Sequence, residues 1–127
     1  MYRRTIDPNA AVSVPELEPH FTGPALQLVL TSPESSPELE VRAVFFAKGA
    51  ISHWHSHPHP QVISVLEGVG RLKFGNSEQE IRPGEFITLP ANVWHAHGAS
   101  AETEMRMLSI MRPGRIQWYE GEGDPQS

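Results

Sequence analysis

Polar residues recurring at fixed intervals along β-type sequence constrain this chain more than anything else in it. From Gly49 the order is five residues to His55, one to His57, three to Gln61 and six to Gly68, and a second set follows at Gly84, Pro90 and His95. Successive side chains of an extended strand point to opposite faces, so His55 and His57 share a side. The turn through Pro58 and Pro60 reverses the chain and returns Gln61 towards that side. His95 comes from a distant segment and joins the group only when the fold closes. Three imidazoles and one amide oxygen on a rigid β scaffold make a site for one divalent metal.

The rest of the chain agrees with a β scaffold. A length of 127 residues supports one domain with a single core. Twelve prolines and ten glycines suit short strands and turns better than long helices. Strand-like runs are Leu26 to Leu30, Glu40 to Ala47, a hairpin-like Ile51 to Leu66, Gly70 to Phe74, Glu80-Ile81, Glu85 to Leu89, Val93 to His97 and Thr103 to Met111. Turn signals separate them, and no segment carries a convincing helical period. The expected architecture is all-β, a sandwich or barrel, over residues 25–112. An irregular N-terminal arm (residues 1–24) precedes it, and a loosely attached tail (residues 113–127) follows.

Composition narrows the partners. A net charge of -5 argues against nucleic acid and anionic membrane. No run approaches the roughly 20 apolar residues of a membrane helix, and no apolar stretch follows Met1-Tyr2-Arg3-Arg4, so a cytoplasmic protein is expected. Cysteine is absent, so any metal is held by nitrogen and oxygen.

The expected ligands are therefore His55, His57, Gln61 and His95. Neutral imidazole suits Zn, Mn, Fe, Ni or Cu, and open positions beside three protein ligands are a catalytic pattern. A glutamine in the fourth place leaves the site one unit more positive than a carboxylate would. His97, two residues past His95 on the same side, is a candidate acid/base group. His53 shares the alternation and is a second candidate; Glu67 is a third proton carrier. His59 is expected at the cavity rim and His20 at the surface. Val44, Phe46, Ile63, Val65, Met105 and Met107 are expected to wall the cavity, with Arg42 placed to steer a carboxylate into its mouth.

These residues resemble the two motifs of the cupin superfamily, across roughly Phe21 to Met111. Every interval of the first motif is kept, with Gln61 where the family usually has Glu. In the second, Gly84, Pro90 and His95 match, while Asn92 replaces a Gly and Ala99 an Asn. Phe21-Thr22-Gly23, Trp54 to Pro58, Ile81 to Gly84 and His95 to Ala99 resemble the small single-domain group associated with carboxymuconolactone decarboxylases. Some members bind manganese through three His and one Gln, and some show hydroxynitrile lyase activity. The resemblance implies a double-stranded β-helix, or jelly-roll, barrel, usually dimeric. It also implies one divalent metal per chain, manganese first and Fe, Ni or Zn after it. Two departures stand out: Met107 occupies a last-strand position where that group tends to have His, and His53 stands where it tends to have a small residue. His55 to His59 also resemble the start of cupins acting on unsaturated uronates.

The function expected is a metal-dependent enzyme on a small oxygenated organic molecule, of lyase/isomerase or dioxygenase type. The competing reading is a non-catalytic module that binds a metal or metabolite. Val41, Ala43 and Phe45 alternate away from the proposed cavity and need cover, which points to a homodimer.

Overall fold

Alternation along the run Glu40–Phe46 sorts its side chains between two environments. Val44 and Phe46 are buried in the core, while Val41 and Phe45, on the opposite face, are half-buried. A computed structural model describes residues 1–125 and builds this strand into a jelly roll of ten strands. They are β1 (Ala25–Val29), β2 (Glu40–Phe46), β3 (His55–Ser56), β4 (Gln61–Gly68), β5 (Gly70–Phe74), β6 (Ser77–Ile81), β7 (Phe86–Leu89), β8 (His95–Ala99), β9 (Met105–Met111) and β10 (Gln117–Trp118). The sheets run β1-β2-β9-β4-β7 and β10-β3-β8-β5-β6, with every pairing antiparallel. Only β1–β2 and β5–β6 are consecutive neighbours; from β2 to β5 and from β6 to β10 the chain changes sheet at every step. The two inner faces are thereby woven together, and neither sheet can form its half of the core alone.

That core consists of Phe46, Ile63, Val65, Leu72, Ile81, Leu89, Met105 and Met107 with smaller neighbours. The expected cavity wall needs correction here. Ile63, Val65 and Met105 do not line the cavity; they are packed into the barrel core. The open space lies instead towards β1, β2 and the chain ends, and no lining residue comes from β5, β6 or β7. Small barrels fill with side chains wherever large residues from facing strands meet.

The ends of the chain are also part of the fold. The arm bridges to the barrel at Val12–Gln27 and Phe21–Ser52, and Thr22 N–H donates to the Ile51 carbonyl at 2.9 Å. The tail is not loose: β10 pairs with β3, Tyr119 N–H donates to Trp54 O at 3.0 Å, and Trp54 Nε1–H reaches Asp124 Oδ1 at 3.1 Å. Residues 112–116 are irregular, after which Gln117–Trp118 extend a sheet edge. Among the described residues, no helix is long and apolar enough to cross a membrane.

Two glycines are fixed by their surroundings. Gly68 closes β4 at φ 77°, where a Cβ would run into the Glu104 carbonyl; at Gly98 it would meet the backbone of Ala50 and Ile51. Gly75 also has positive φ, at 59°, but a Cβ there meets nothing. Gly68→Ala should therefore lower unfolding free energy by about 3 kcal/mol through strain and overpacking, whereas Gly75→Ala should cost about 1 kcal/mol. Urea midpoints of the two variants check this, and equal losses would contradict it.

Candidate metal centre

β3 is only two residues long, yet it is flanked on both sides. His55 lies directly opposite His95 of β8 and Trp118 of β10, so antiparallel pairing puts His55 and His95 on one face. Their ring centroids are 4.4 Å apart. His57 follows just beyond the strand, its ring 4.9 Å from that of His95. Its carbonyl accepts from Asn92 N–H at 2.8 Å, and Asn92 has φ 62°. Asparagine tolerates this left-handed conformation, which is why it can stand where the motif has glycine. Gln61 opens β4 opposite Met111 and Leu89. His55, His57, Gln61, His95 and His97 are all buried.

The ring nitrogens carry the chemical information. His55 Nδ1–H donates to His53 O at 2.8 Å, His57 Nδ1–H to His59 O at 2.9 Å, and His95 Nδ1–H to Val93 O at 2.9 Å. Each bond fixes the tautomer and leaves Nε2 with a bare lone pair. His95 Nε2 is buried with no hydrogen-bond partner. Gln61 donates its Nε2–H to Ser109 Oγ at 2.7 Å, which points Oε1 at His57 Nε2, 3.1 Å away. Both of those atoms are acceptors in this arrangement, and a cation between them relieves the conflict. The donor set, imidazole nitrogen with one amide oxygen, fits a divalent metal of the Mn, Fe, Ni or Zn type.

A second cluster overlaps this one: ring nitrogens of His55, His95 and His97 lie within 4.8 Å of one another. His97 differs from the other three. Its Nδ1 is buried without a partner, while its backbone N–H is held by Ser52 Oγ at 3.1 Å. Phe46 presents an edge at 5.9 Å. No carbonyl pins the ring of His97, whereas those of His55, His57 and His95 are each held through Nδ1.

Burial, followed by neighbouring imidazoles, pushes the His55 ring well below its usual range. Burial likewise brings His95 to about 4 and, with His95 and His57 nearby, His97 to about 3.

Around these residues lies a cavity of about 350 Å³. Arg42, Val44, Phe46 and Met107 line it, as expected from the alternation of β2 and β9. His53 does not: its side chain is exposed, and its contribution is the carbonyl that holds His55. The alternation that seemed to turn it inward breaks at Trp54, before β3 begins. Glu67 is exposed as well and pairs with Arg106 at 3.4 Å. His20, expected at the surface, stacks on Trp118 with centroids 3.8 Å apart, and Trp118 lies 5.0 Å from His55. Sequence reasoning missed Trp118 and Ser109. The first is a lone aromatic in a polar tail; the second was readable as the next residue on the face that carries Met105 and Met107.

Rings that stay neutral in the fold take up protons once unfolded, since free imidazoles titrate near 6.5. From about 6.5 down to about 4 the unfolded chain binds more protons, so stability rises with pH across this window and falls on acidification. Chelator-treated protein should lose Tm steadily over that range, with a slope of up to about 1.4 kcal/mol per pH unit for each buried ring. A Tm independent of pH there would contradict neutral rings.

The Cupin domain family model matches residues 43–111. An (R)-mandelonitrile lyase from Granulicella tundricola is 34% identical over 88 residues, covering 66% of this chain and 67% of that protein. An L-ectoine synthase from Rhodococcus erythropolis is 30% identical over 67 residues, 51% of this chain and 49% of its own. A cupin-like protein from Thermotoga maritima, 28% identical, superimposes with a TM-score of 0.75 over 85% of each chain. The matched span runs from β2 to the end of β9 and contains every residue of the histidine cluster. This chain therefore belongs to the Cupin domain family.

Proposed function

We propose that this cupin is a metal-dependent enzyme acting on a small oxygenated organic molecule, with His55, His57, Gln61 and His95 holding one divalent metal, manganese in the first place. Within the family we place it with the small single-domain group associated with carboxymuconolactone decarboxylases. The observation that carries this reading is the set of three imidazoles with carbonyl-held Nδ1 atoms, converging with the Gln61 oxygen beside a cavity of about 350 Å³. A metal bound there supplies Lewis-acid polarisation of a carbonyl or hydroxyl oxygen.

The protein's own groups do the rest. Phe21, Phe46, Met107 and Trp118 receive the apolar body of the substrate and exclude water around it. His97, which lines the cavity, accepts a proton on its imidazole and returns it. Held at about 3 in the free cavity, it is a weak base, and negative charge developing on a substrate oxygen beside it favours its protonated form. Arg42 sits between Glu40, 2.7 Å from its Nε, and Gln27, 2.8 Å from its Nη1, which leaves Nη2 as a donor. Glu40 cancels the charge that a carboxylate would use. The polar end of the cavity therefore suits a neutral hydroxyl or carbonyl as well as an acid. The two-thirds-covered relative named (R)-mandelonitrile lyase supports the lyase/isomerase side over oxygen activation. Met107 in β9 carries no transferable proton, which leaves proton transfer to His97.

Elemental mass spectrometry on untagged protein tests the site. About one metal per chain is expected, lost in His55→Ala, whereas His97→Gln should keep the metal and lower kcat roughly 10²- to 10⁴-fold. Protein that takes up no metal after reconstitution would leave a non-catalytic binding module.

We further propose a homodimer. Leu26 and Phe86, 37% and 72% exposed, lie with Val41, Phe45, Leu108 and Ile110 on the outer face of the first sheet. A second copy of that face would cover them. Light scattering should give twice the chain mass, and Phe86→Glu should shift it towards one.

A further inference from the structure

We infer that Ser109 is a positioning residue for the metal: its hydroxyl supplies the acceptor that lets Gln61 turn its oxygen, rather than its amide nitrogen, to the ligand site. The inference rests on the metal reading above. A carboxylate ligand is the same whichever way round it sits. A glutamine is not, because its oxygen can coordinate and its NH₂ cannot, although the two ends are nearly the same size. Something must therefore decide which end faces the histidines.

Of the two polar neighbours of Gln61, one has a fixed role and the other, a hydroxyl, can accept from the amide NH₂ or donate to its oxygen. His57 Nδ1–H is committed to the His59 carbonyl, so His57 Nε2 is an acceptor. By itself it would draw the amide NH₂ towards the site, which is the orientation that blocks coordination. On the other side Ser109 Oγ lies 2.7 Å from Gln61 Nε2 and accepts from it, and Oε1 is then left facing His57 Nε2 at 3.1 Å. Ser109 and Gln61 are 5% and 3% exposed. Ser109 belongs to β9, opposite Ile63 of β4 and Arg42 of β2, where its neighbours on the same face, Met107 and Met111, offer no comparable acceptor. Without the Ser109 hydroxyl, metal binding would strand the buried NH₂, while the metal-free protein could still satisfy that NH₂ on His57 and would lose only a donor to the less demanding amide oxygen. The loss therefore falls on the metal-bound state, and it appears as weakened affinity.

Chelator competition with Mn(II) and Zn(II) on the full chain tests this in two backgrounds. Ser109→Ala should raise Kd about 10- to 100-fold, the range found when a group that orients a metal ligand is removed. The near-isosteric Ser109→Cys, a poor acceptor, should weaken binding in the same direction. In a Gln61→Glu background no NH₂ remains to strand and the hydroxyl only donates to a carboxylate that coordinates either way round, so adding Ser109→Ala should raise Kd by a smaller factor than it does in the Gln61 protein. Far-UV CD and Tm establish that each variant folds; the Cys variant and the Glu background stand in if Ser109→Ala does not. Metal binding intact in the wild type but unchanged in Ser109→Ala and Ser109→Cys would overturn the inference alone. An equal loss in both backgrounds would also overturn it, because it would mark a general packing defect. Wild-type protein that binds neither metal would overturn the inference together with the metal reading.

Discussion

Three backbone carbonyls, those of His53, His59 and Val93, hold the centre of this protein in working order. Each accepts a hydrogen bond from the Nδ1–H of a histidine two residues away and so turns the other nitrogen of that ring, as a lone pair, towards a common point. Buried imidazoles left free to tumble would have no fixed tautomer and no shared direction. The pinning is local, set by extended backbone on either side of each ring. The convergence is not local. It depends on β3 lying against β8, and on the Asn92 turn bonding the His57 carbonyl.

Burial gives the cluster its chemical character. Removing the rings from water holds His55, His95 and His97 neutral, the form that ligates a metal or accepts a proton. The same burial is a liability. His95 Nε2 and His97 Nδ1 are left without partners, and buried polar atoms of that kind are uncommon in folded proteins. An interior that carries two of them beside a cavity is arranged for something to enter it. The walls agree with this, since the solid core lies on the β4 side and the space is left next to the histidines.

The cavity mouth is built from the segments least firmly tied to the barrel. Arm residues Val14, Leu17 and Phe21 and tail residues Pro113, Ile116 and Trp118 all line the cavity. They are held by isolated bridges, a two-residue strand and the stacking of His20 on Trp118. Regions with few ladder hydrogen bonds open at lower free energy than central strands do. Access to the site therefore depends on the chain ends, while ligand geometry depends on the paired strands.

Much of this was readable before any fold was known. Strict spacing made His55, His57, Gln61 and His95 a set, because a period of two on a strand leaves no choice of face, and the same rule put Arg42, Val44 and Phe46 on one side of β2. The rule failed where backbone ceased to be regular: His53 lies before the strand begins and turns out to solvent, and Glu67 lies at the bulge in β4. Ile63 and Met105 point inward as their alternation requires, yet depth is a property of facing layers, and they are packed over. Ser109 and Trp118 became part of the site only when β9 and β10 were placed beside Gln61 and His55. By itself the sequence determined residue types, intervals and faces, which are matters of local backbone geometry. Tertiary structure alone decided which inward faces meet a partner and which meet empty space, because that depends on strands far apart in the chain closing on one another.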